Sequence, residues 1–477
     1  FEGYDISEEF LLSDQENEIA YRDGVRYVNR LRSIKAENQS DRLTEAVLSD
    51  DSIIPFRLEV SSPGVLTNLS LNETTRYSPD PDQVEVLIKA GGINFRDVMK
   101  ALGMYPGNPI DLRWFGDDFS GIVVSVGAKV KGFAVGDEVV GMAPYSFRSF
   151  VTVSEKMIFK KASSMTFEEA ATLPTVFLTA HYGLNELARM KKGESVLIHA
   201  GTGGVGMAAI QIARRLGLEI FATAGTPGKR DLLLKLGAHY AMDSRSLSFA
   251  DEIIKVTGGL GVDCVLNSLA GDFIPKSFSV LKSFGRFIEI GKVDVYNDSK
   301  IGLQQLRNNI SYFVVDLAQH LQDKPDYVAE MFTSLAKSFD SGEYSPLEHT
   351  VFPITEAAQA FRYMAQGKHI GKNVLSFDCD SIPIAPCTQE GRLFKSDVTY
   401  LITGGMSGFG FELAKWMTQN GASHLVLVSR SGARDESILE DIEYLRLKGK
   451  EIVDLRADVT SLQDVERIMV QIDSDLP

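Results

Sequence analysis

Cysteine is scarce, with three in 477 residues, Cys264, Cys379 and Cys387. They have neither metal-ligand spacing nor enough pairs for a disulfide framework, and a reducing cytosol fits that usage. Basic residues are outnumbered, 49 Lys and Arg against 64 Asp and Glu, for a formal charge of −15. That balance argues against nucleic acid or an anionic membrane as a general partner. No apolar run approaches the ~18 residues of a membrane span, and no signal peptide opens the chain. What is present is an ordinary globular composition, long enough for about three domains. Opening on Phe1 and closing on Pro477 in mid-pattern, the chain reads as a piece of a longer one.

Residues 195–230, SVLIHAGTGGVGMAAIQIARRLGLEIFATAGTPGKR, read as strand, glycine turn, helix and strand. Gly201, Gly203 and Gly206 complete G-x-G-x-x-G where helical periodicity begins at Val205. The first glycine allows the tight turn, the second admits a pyrophosphate, and the third lets helix and strand pack. Thr202, Gly204 and Val205 fill the turn, whose free N–H groups face the phosphates. An NAD site would place an acid after the second strand. Here Gly225, Thr226, Pro227, Gly228, Lys229 and Arg230 follow instead, so the expected cofactor is NADPH, with Lys229 or Arg230 pairing with its 2′-phosphate. The bland alternative is a basic turn at a helix start.

Taken in order, residues 1–50 hold one plausible strand, 24–31, among acidic and polar residues. From Phe56 short alternating strands punctuated by glycine predict a β-rich domain. Phe167 to Met190 reads as helices around Pro174. After Arg230 the strands YAMD, VDCVLNS, RFIEIG and ISYFVV alternate with helical stretches, as in a doubly wound parallel sheet. Helices over 326–339 and 354–364, a returning strand KNVLSF and a proline-bearing break complete this part. A second motif, VTYLITGGMSGFG, then places Gly404, Gly408 and Gly410 after an apolar strand. Arg430 ends the next strand where an NAD site would have an acid, and Asp458 closes a third, so this half-Rossmann portion also leans to NADPH.

The strings GGINFRDVMKALGMYPG (91–107), GDDFSGIVVSVG (116–127), ATLPTVFLTAHYGL (171–184), NSLAG (267–271), IEIGKVD (288–294) and HIGKNV (369–374) together resemble the enoyl reductase domain of reducing polyketide synthases and animal-type fatty acid synthase. This is a zinc-free branch of the medium-chain dehydrogenase/reductases. TGGMSGFG with VSRSG resembles the start of the ketoreductase that follows it. The implied architecture is α/β. A GroES-like β-rich substrate domain (52–178 and 345–377) surrounds a doubly wound Rossmann NADPH domain (179–344). A linker or domain edge (1–51) precedes it; a linker (378–392) and a partial second Rossmann domain (393–477) follow. The implied reaction is NADPH-dependent reduction of an α,β-unsaturated thioester on the phosphopantetheine arm of an acyl carrier protein. Neighbouring synthase domains are the other expected partners, with a homodimer formed through the full synthase as one arrangement. No nucleic acid or membrane partner is expected. A stand-alone quinone or enone reductase would share the first glycine turn but not explain the second; a non-catalytic NADPH-binding scaffold is the other alternative.

Where zinc-dependent relatives carry Cys and His, this chain has Asn94–Phe95 and Asp117–Asp118, and no cysteine precedes Cys264. No metal is expected, so transition-state charge must be met by donors of the protein or cofactor. By the resemblance, Lys292 after the RFIEIG strand and Asp316 after ISYFVV match a pair suspected of proton donation or substrate positioning. The alternatives are a surface lysine and a helix-capping Asp. Asn94 orients nicotinamide or substrate, or simply forms a turn. Phe95 stands where some family members have a proton-donating Tyr, which moves the burden to Lys292, Asp316 or water. Thr175, Asn267, Ser268 and Leu269 are expected at the cofactor. Lys372 either reaches its phosphates or solvates a strand end, and His199 reads as a packed core histidine.

Overall fold

The computed structural model describes residues 19–22, 25–28, 44–47, 54–105, 114–379, 381–385, 394–395, 397–419, 421–433, 436–447 and 450–475. The chain divides into two units, Phe1–Leu43 and Thr44–Pro477. In the first, the described residues form an antiparallel pair, β1 (Ile19–Arg22) and β2 (Val25–Val28). The remainder of the strand expected over 24–31, like Cys387, lies outside the described residues.

The second unit contains β3 (Thr44–Val47), β4 (Phe56–Val60) and β5 (Leu69–Glu73). Phe56, Leu58 and Val60 alternate inward, the period of two that buries one face of a strand. They share a core with Val84, Val86 and Ile88 of β6 (Gln83–Ile93). β6 is the axis of a seven-stranded sheet. It pairs antiparallel with β7 (Asp118–Val126), β9 (Phe150–Ser154) and β18 (Lys372–Ser376). The sheet order is β10 (Ile158–Lys160), β8 (Glu138–Met142), β7, β6, β18, β17 (His349–Pro353), with β9 also on β6.

From this sheet the helices Phe167–Ala170 and Pro174–His181 lead into the nucleotide domain. Pro174 sits in the first turn, where its missing N–H costs nothing. The expected helical stretch then winds differently: Tyr182–Leu187 is a π-helical turn. Six parallel strands follow: β11 (Ser195–Ile198), β12 (Glu219–Ala224), β13 (Tyr240–Asp243), β14 (Val262–Asn267), β15 (Leu281–Glu289) and β16 (Ser311–Val314). Their order, β13-β12-β11-β14-β15-β16, reverses direction between β11 and β14, which opens a crevice at the carboxyl ends of the strands. The buried faces of β11, β14 and helix Gly204–Leu216 supply the main core.

The two stretches read as linkers are not structureless: β3 pairs antiparallel with β19 (Ser381–Ile384), Val47 opposite Ser381. Beyond it, β20 (Thr399–Thr403), β21 (His424–Ser429) and β22 (Glu451–Arg456) form a parallel three-stranded sheet, with helix Gly408–Gln419 after β20.

Candidate active site

The first glycine turn is built by close approach. A Cβ on Gly206 would lie 2.5 Å from the Ala200 oxygen and 2.6 Å from the Gly201 Cα, and one on Gly204 would lie 2.9 Å from Val176 Cγ1. Only glycine lets the helix Gly204–Leu216 start this close to β11, with its first N–H groups free to meet an anion. Gly371 N donates to Thr202 O at 2.8 Å, so the turn is clasped by the chain entering β18. Asn267 fixes the loop after β14: Leu269 N donates to its Oδ1 (3.2 Å) and its Nδ2 donates to Leu269 O (2.7 Å), holding Ser268 between them. This cradle fits a nicotinamide dinucleotide.

Beyond β12 the Thr226 hydroxyl accepts from Lys229 N (3.3 Å) and caps helix Pro227–Leu236. The Lys229 ammonium donates to the carbonyls of Gly367 (2.9 Å) and His369 (2.7 Å), and burial followed by the charge of Arg245 lowers its pKa. Arg230 donates to Ala224 O (3.3 Å) and lies 3.6 Å from Asp243. Sequence reasoning missed Arg245, an exposed side chain whose Nε lies 2.9 Å from where a Gly225 Cβ would be.

The ends of β15 and β16 face the β-rich domain across a cavity of about 120 Å³, lined by Arg96, Asp117, Thr175, Ile290, Lys292 and Asp316 among others. Lys292 donates to Asp316 Oδ2 at 2.5 Å. Asp316 Oδ1 accepts from the N–H groups of Ala318 (3.1 Å) and Gln319 (3.3 Å), so it caps a helix and holds the lysine at once. Burial raises its pKa, but the Lys292 hydrogen bond and charge and the two N–H donors outweigh burial and leave it below the ordinary value. The Tyr105 hydroxyl is 3.5 Å from Lys292 Nζ. Phe95 is 56% exposed, and the phenol that does lie beside Lys292 is that of Tyr105, ten residues on, which sequence reasoning missed.

Behind the cavity is a buried network. Lys372 Nζ donates to Asn94 Oδ1 (2.7 Å) and Asp118 Oδ2 (2.9 Å), Asn94 Nδ2 donates to Asp118 Oδ2 (3.0 Å), and Thr175 donates through N (2.9 Å) and Oγ1 (2.5 Å) to Asp118 Oδ1. Lys372 therefore does neither thing expected of it. It is 1% exposed, and its ammonium is committed to this network rather than to solvent or to phosphate. Its stem fits because Gly92 and Gly204 lack side chains: their Cβ atoms would lie 3.2 and 3.1 Å from it. Asn94 also begins the helix Phe95–Ala101. His199 is held by Thr223 (3.0 Å) and Ser277 (2.8 Å), and burial pushes its pKa down to about 3; it is a neutral core residue away from the cleft chemistry.

These donors do not fit a zinc ion. Asn94 is bonded to an ammonium, Asp117 lies 3.2 Å from the Arg96 guanidinium, and among the described residues no three His, Cys, Asp or Glu side chains converge.

In the second glycine turn Gly404 and Gly408 take φ of 69° and 48°, and a Gly410 Cβ would strike the Gly404 oxygen at 2.3 Å. Asp458 accepts from Thr460 N (3.0 Å) and Oγ1 (2.7 Å), and these bonds, with a smaller contribution from the charge of Arg430 just beyond β21, hold its pKa below the ordinary value.

Family models match three stretches: an alcohol dehydrogenase GroES-like domain at residues 80–177, a zinc-binding dehydrogenase domain at 204–333 and a KR domain at 398–477. Fold and cleft together define a medium-chain dehydrogenase/reductase, an oxidoreductase fold that takes a nicotinamide cofactor. The crystal structure of CurK enoyl reductase is 43% identical (TM-score 0.64), covering 68% of this chain and 99% of that one. JamJ enoyl reductase is 36% identical (TM-score 0.62) with the same coverage. The chain belongs to the enoyl reductases of polyketide synthases, with a stretch of KR domain after the reductase. A phenolphthiocerol/phthiocerol polyketide synthase of Mycobacterium tuberculosis is 40% identical over 97% of this chain, and reducing polyketide synthase hmp8 of Hypomyces subiculosus is 35% identical over 100%. The chain spans about a fifth of the length of these relatives, 22% and 21%.

Proposed function

We propose that this enoyl reductase uses NADPH to reduce an α,β-unsaturated acyl thioester presented on the phosphopantetheine arm of an acyl carrier protein. The observation that carries the reading is the Lys292–Asp316 pair with the Tyr105 phenol beside it, set where β15 and β16 end at the cavity. When bound, the cofactor supplies hydride to the substrate Cβ. The chain supplies the rest. Gly201, Gly203 and Gly206 receive the pyrophosphate, Asn267, Ser268 and Leu269 border the nucleotide, and Thr175 and Ile290 border the nicotinamide. Tyr105 and Lys292 are placed to deliver a proton to Cα, and ionised Asp316 holds the ammonium in position.

NADPH rather than NADH is favoured by charge. No acid closes β12, and Lys229, Arg230 and Arg245 surround Gly225 and Thr226. Arg245 offers the 2′-phosphate a guanidinium fork, with Lys229 behind it anchoring the 367–369 loop.

Stopped-flow mixing of the protein with NADPH and crotonyl-pantetheine thioester tests the reading. Cofactor oxidation on mixing with the thioester is expected; oxidation with a quinone alone, or none, would overturn it.

A further inference from the structure

The enolate that forms when hydride reaches an enoyl thioester places negative charge on the thioester oxygen, and some donor must meet it. Lys292 and Tyr105 are placed for Cα and carry a proton to deliver. The same cavity lining holds a second cation that the proton-donating group does not use. Arg96 lines it with 28% of its side chain exposed. Its one ion pair among the described residues is with Asp117, 3.2 Å from Nε to Oδ2, and neither of those two buried atoms has a hydrogen-bond partner. A five-donor fork is thus steadied by charge on one side, with its outer N–H groups uncommitted among the described residues. Tyr105 lies beside it, the guanidinium carbon 6.0 Å from the ring centroid, and although burial opposes its charge, Asp117, Asp97, Tyr105 and Asp316 together outweigh burial and favour it.

Resting on the enoyl reductase reading above, we propose that Arg96 is the group that polarises the thioester carbonyl, with Asp117 as its positioning residue. Hydride adds to Cβ, the Cα=Cβ electron pair moves to Cα–C1, and the carbonyl pair moves onto oxygen facing the guanidinium. The C=O bond re-forms as Cα takes its proton from the Tyr105–Lys292 group. The hydride would bring both electrons of the reduction, solvent returns the proton that the Tyr105–Lys292 group gives up, and Arg96 itself gains and loses nothing. Arginine suits this role because its planar fork stays charged through the whole working pH range.

The test uses the protein saturated with NADP⁺ and a cinnamoyl-pantetheine thioester, whose absorbance moves to the red when its carbonyl is polarised. The wild type should show that red shift. Arg96→Met should abolish it and lower kcat by roughly 10²- to 10³-fold with little change in KM, the usual cost of losing one oxyanion donor. Arg96→Lys keeps the positive charge beside Asp117 and should retain a smaller shift and an intermediate kcat, which covers a failure of the Met variant to fold. Asp117→Asn should reduce the shift without abolishing it. An unchanged shift and kcat in both Arg96 variants, with the wild type still turning over crotonyl thioester, would overturn the role of Arg96 and leave the enoyl reductase reading standing. No turnover in the wild type would remove both.

Discussion

Lys292 and Asp316 stand 2.5 Å apart although they follow different strands, β15 and β16, which lie side by side in the parallel sheet. Parallel pairing brings the two carboxyl ends to one edge, and the helix that Asp316 caps fixes its carboxylate there. Asp316→Asn should lower kcat by about 10- to 100-fold, with a smaller change in KM, because the ammonium loses the charge that orients it. The same variant has a stability consequence. Asp316 has a depressed pKa, so its contribution is present above the ordinary carboxylate value near 4 and is lost as pH falls through the folded value. Denaturant midpoints of wild type and Asp316→Asn should therefore converge as pH falls below the ordinary carboxylate value; parallel curves from pH 7 downward would contradict this.

The buried network predicts an asymmetric pair of variants. Lys372 and Asp118 have side chains 2% and 0% exposed. Lys372→Met leaves Asp118 charged without its cation and should cost about 3–5 kcal/mol, as removing one partner of a buried pair does. Adding Asp118→Asn to it should recover part of the loss, since the neutral amide can still accept from Thr175. Thermal melts of the three proteins decide; equal destabilisation by the single and double variants would place the cost in packing.

Sequence legibility follows the distance over which a constraint acts. The turn at Gly201, Gly203 and Gly206 is readable because its close approach lies within six residues. The Lys292–Asp316 pair is readable only as two strand ends. Lys372 escapes a local reading because its partner Asp118 is 254 positions away and nothing nearby marks a lysine that threads between Gly92 and Gly204. Tyr105 and Lys292 are 187 apart. The pairing of Thr44–Val47 with Ser381–Ile384 joins two four-residue segments far apart in the chain, too short for the alternation of Ile382 and Ile384 around Pro383 to mark a strand.

Cofactor choice turns on Arg245 and Lys229. Arg245→Ala should weaken NADPH binding roughly tenfold to more than a hundredfold, the range for a charge-assisted contact, and leave NADH nearly unchanged. Lys229→Ala should weaken NADPH most and NADH modestly, because its ammonium also anchors the carbonyls of Gly367 and His369. Dissociation constants for both nucleotides at one fixed salt concentration check this. Equal effects on the two nucleotides in Arg245→Ala would remove it from the 2′-phosphate.

Metal removal should do nothing. With Asn94 bonded to Lys372 and Asp117 paired with Arg96, activity should survive exhaustive chelation, and elemental analysis should find no stoichiometric zinc. One tightly held equivalent, lost together with activity, would sink the donor-based mechanism.

Glu289 gives the last prediction, with the opposite sign of pH dependence to Asp316. It is 1% exposed at the end of β15, where its Oε2 accepts from Asn267 Nδ2 (2.6 Å) and its Oε1 from Gly291 N (2.7 Å). It thereby braces the loop that holds Ser268 and the turn that carries Lys292. Burial raises its pKa from 4.5 to about 7, against the two hydrogen bonds that lower it, and Asp294 adds to the rise. Tyr312 on the neighbouring strand faces the same charge. A carboxyl whose folded pKa is raised favours the fold fully below the unfolded value, and that contribution is lost as pH climbs to the folded one. Between about pH 4.5 and 7 the loss is on the order of 3 kcal/mol at ~1.4 kcal/mol per tenfold change in proton affinity. Glu289→Gln cannot ionise, so it should be less stable than wild type at pH 5, where its amide disturbs one of the two hydrogen bonds, and should close that gap by pH 8. Chemical denaturation at both pH values measures it, and a gap that stays constant would show that Glu289 ionises in the fold as freely as in the unfolded chain.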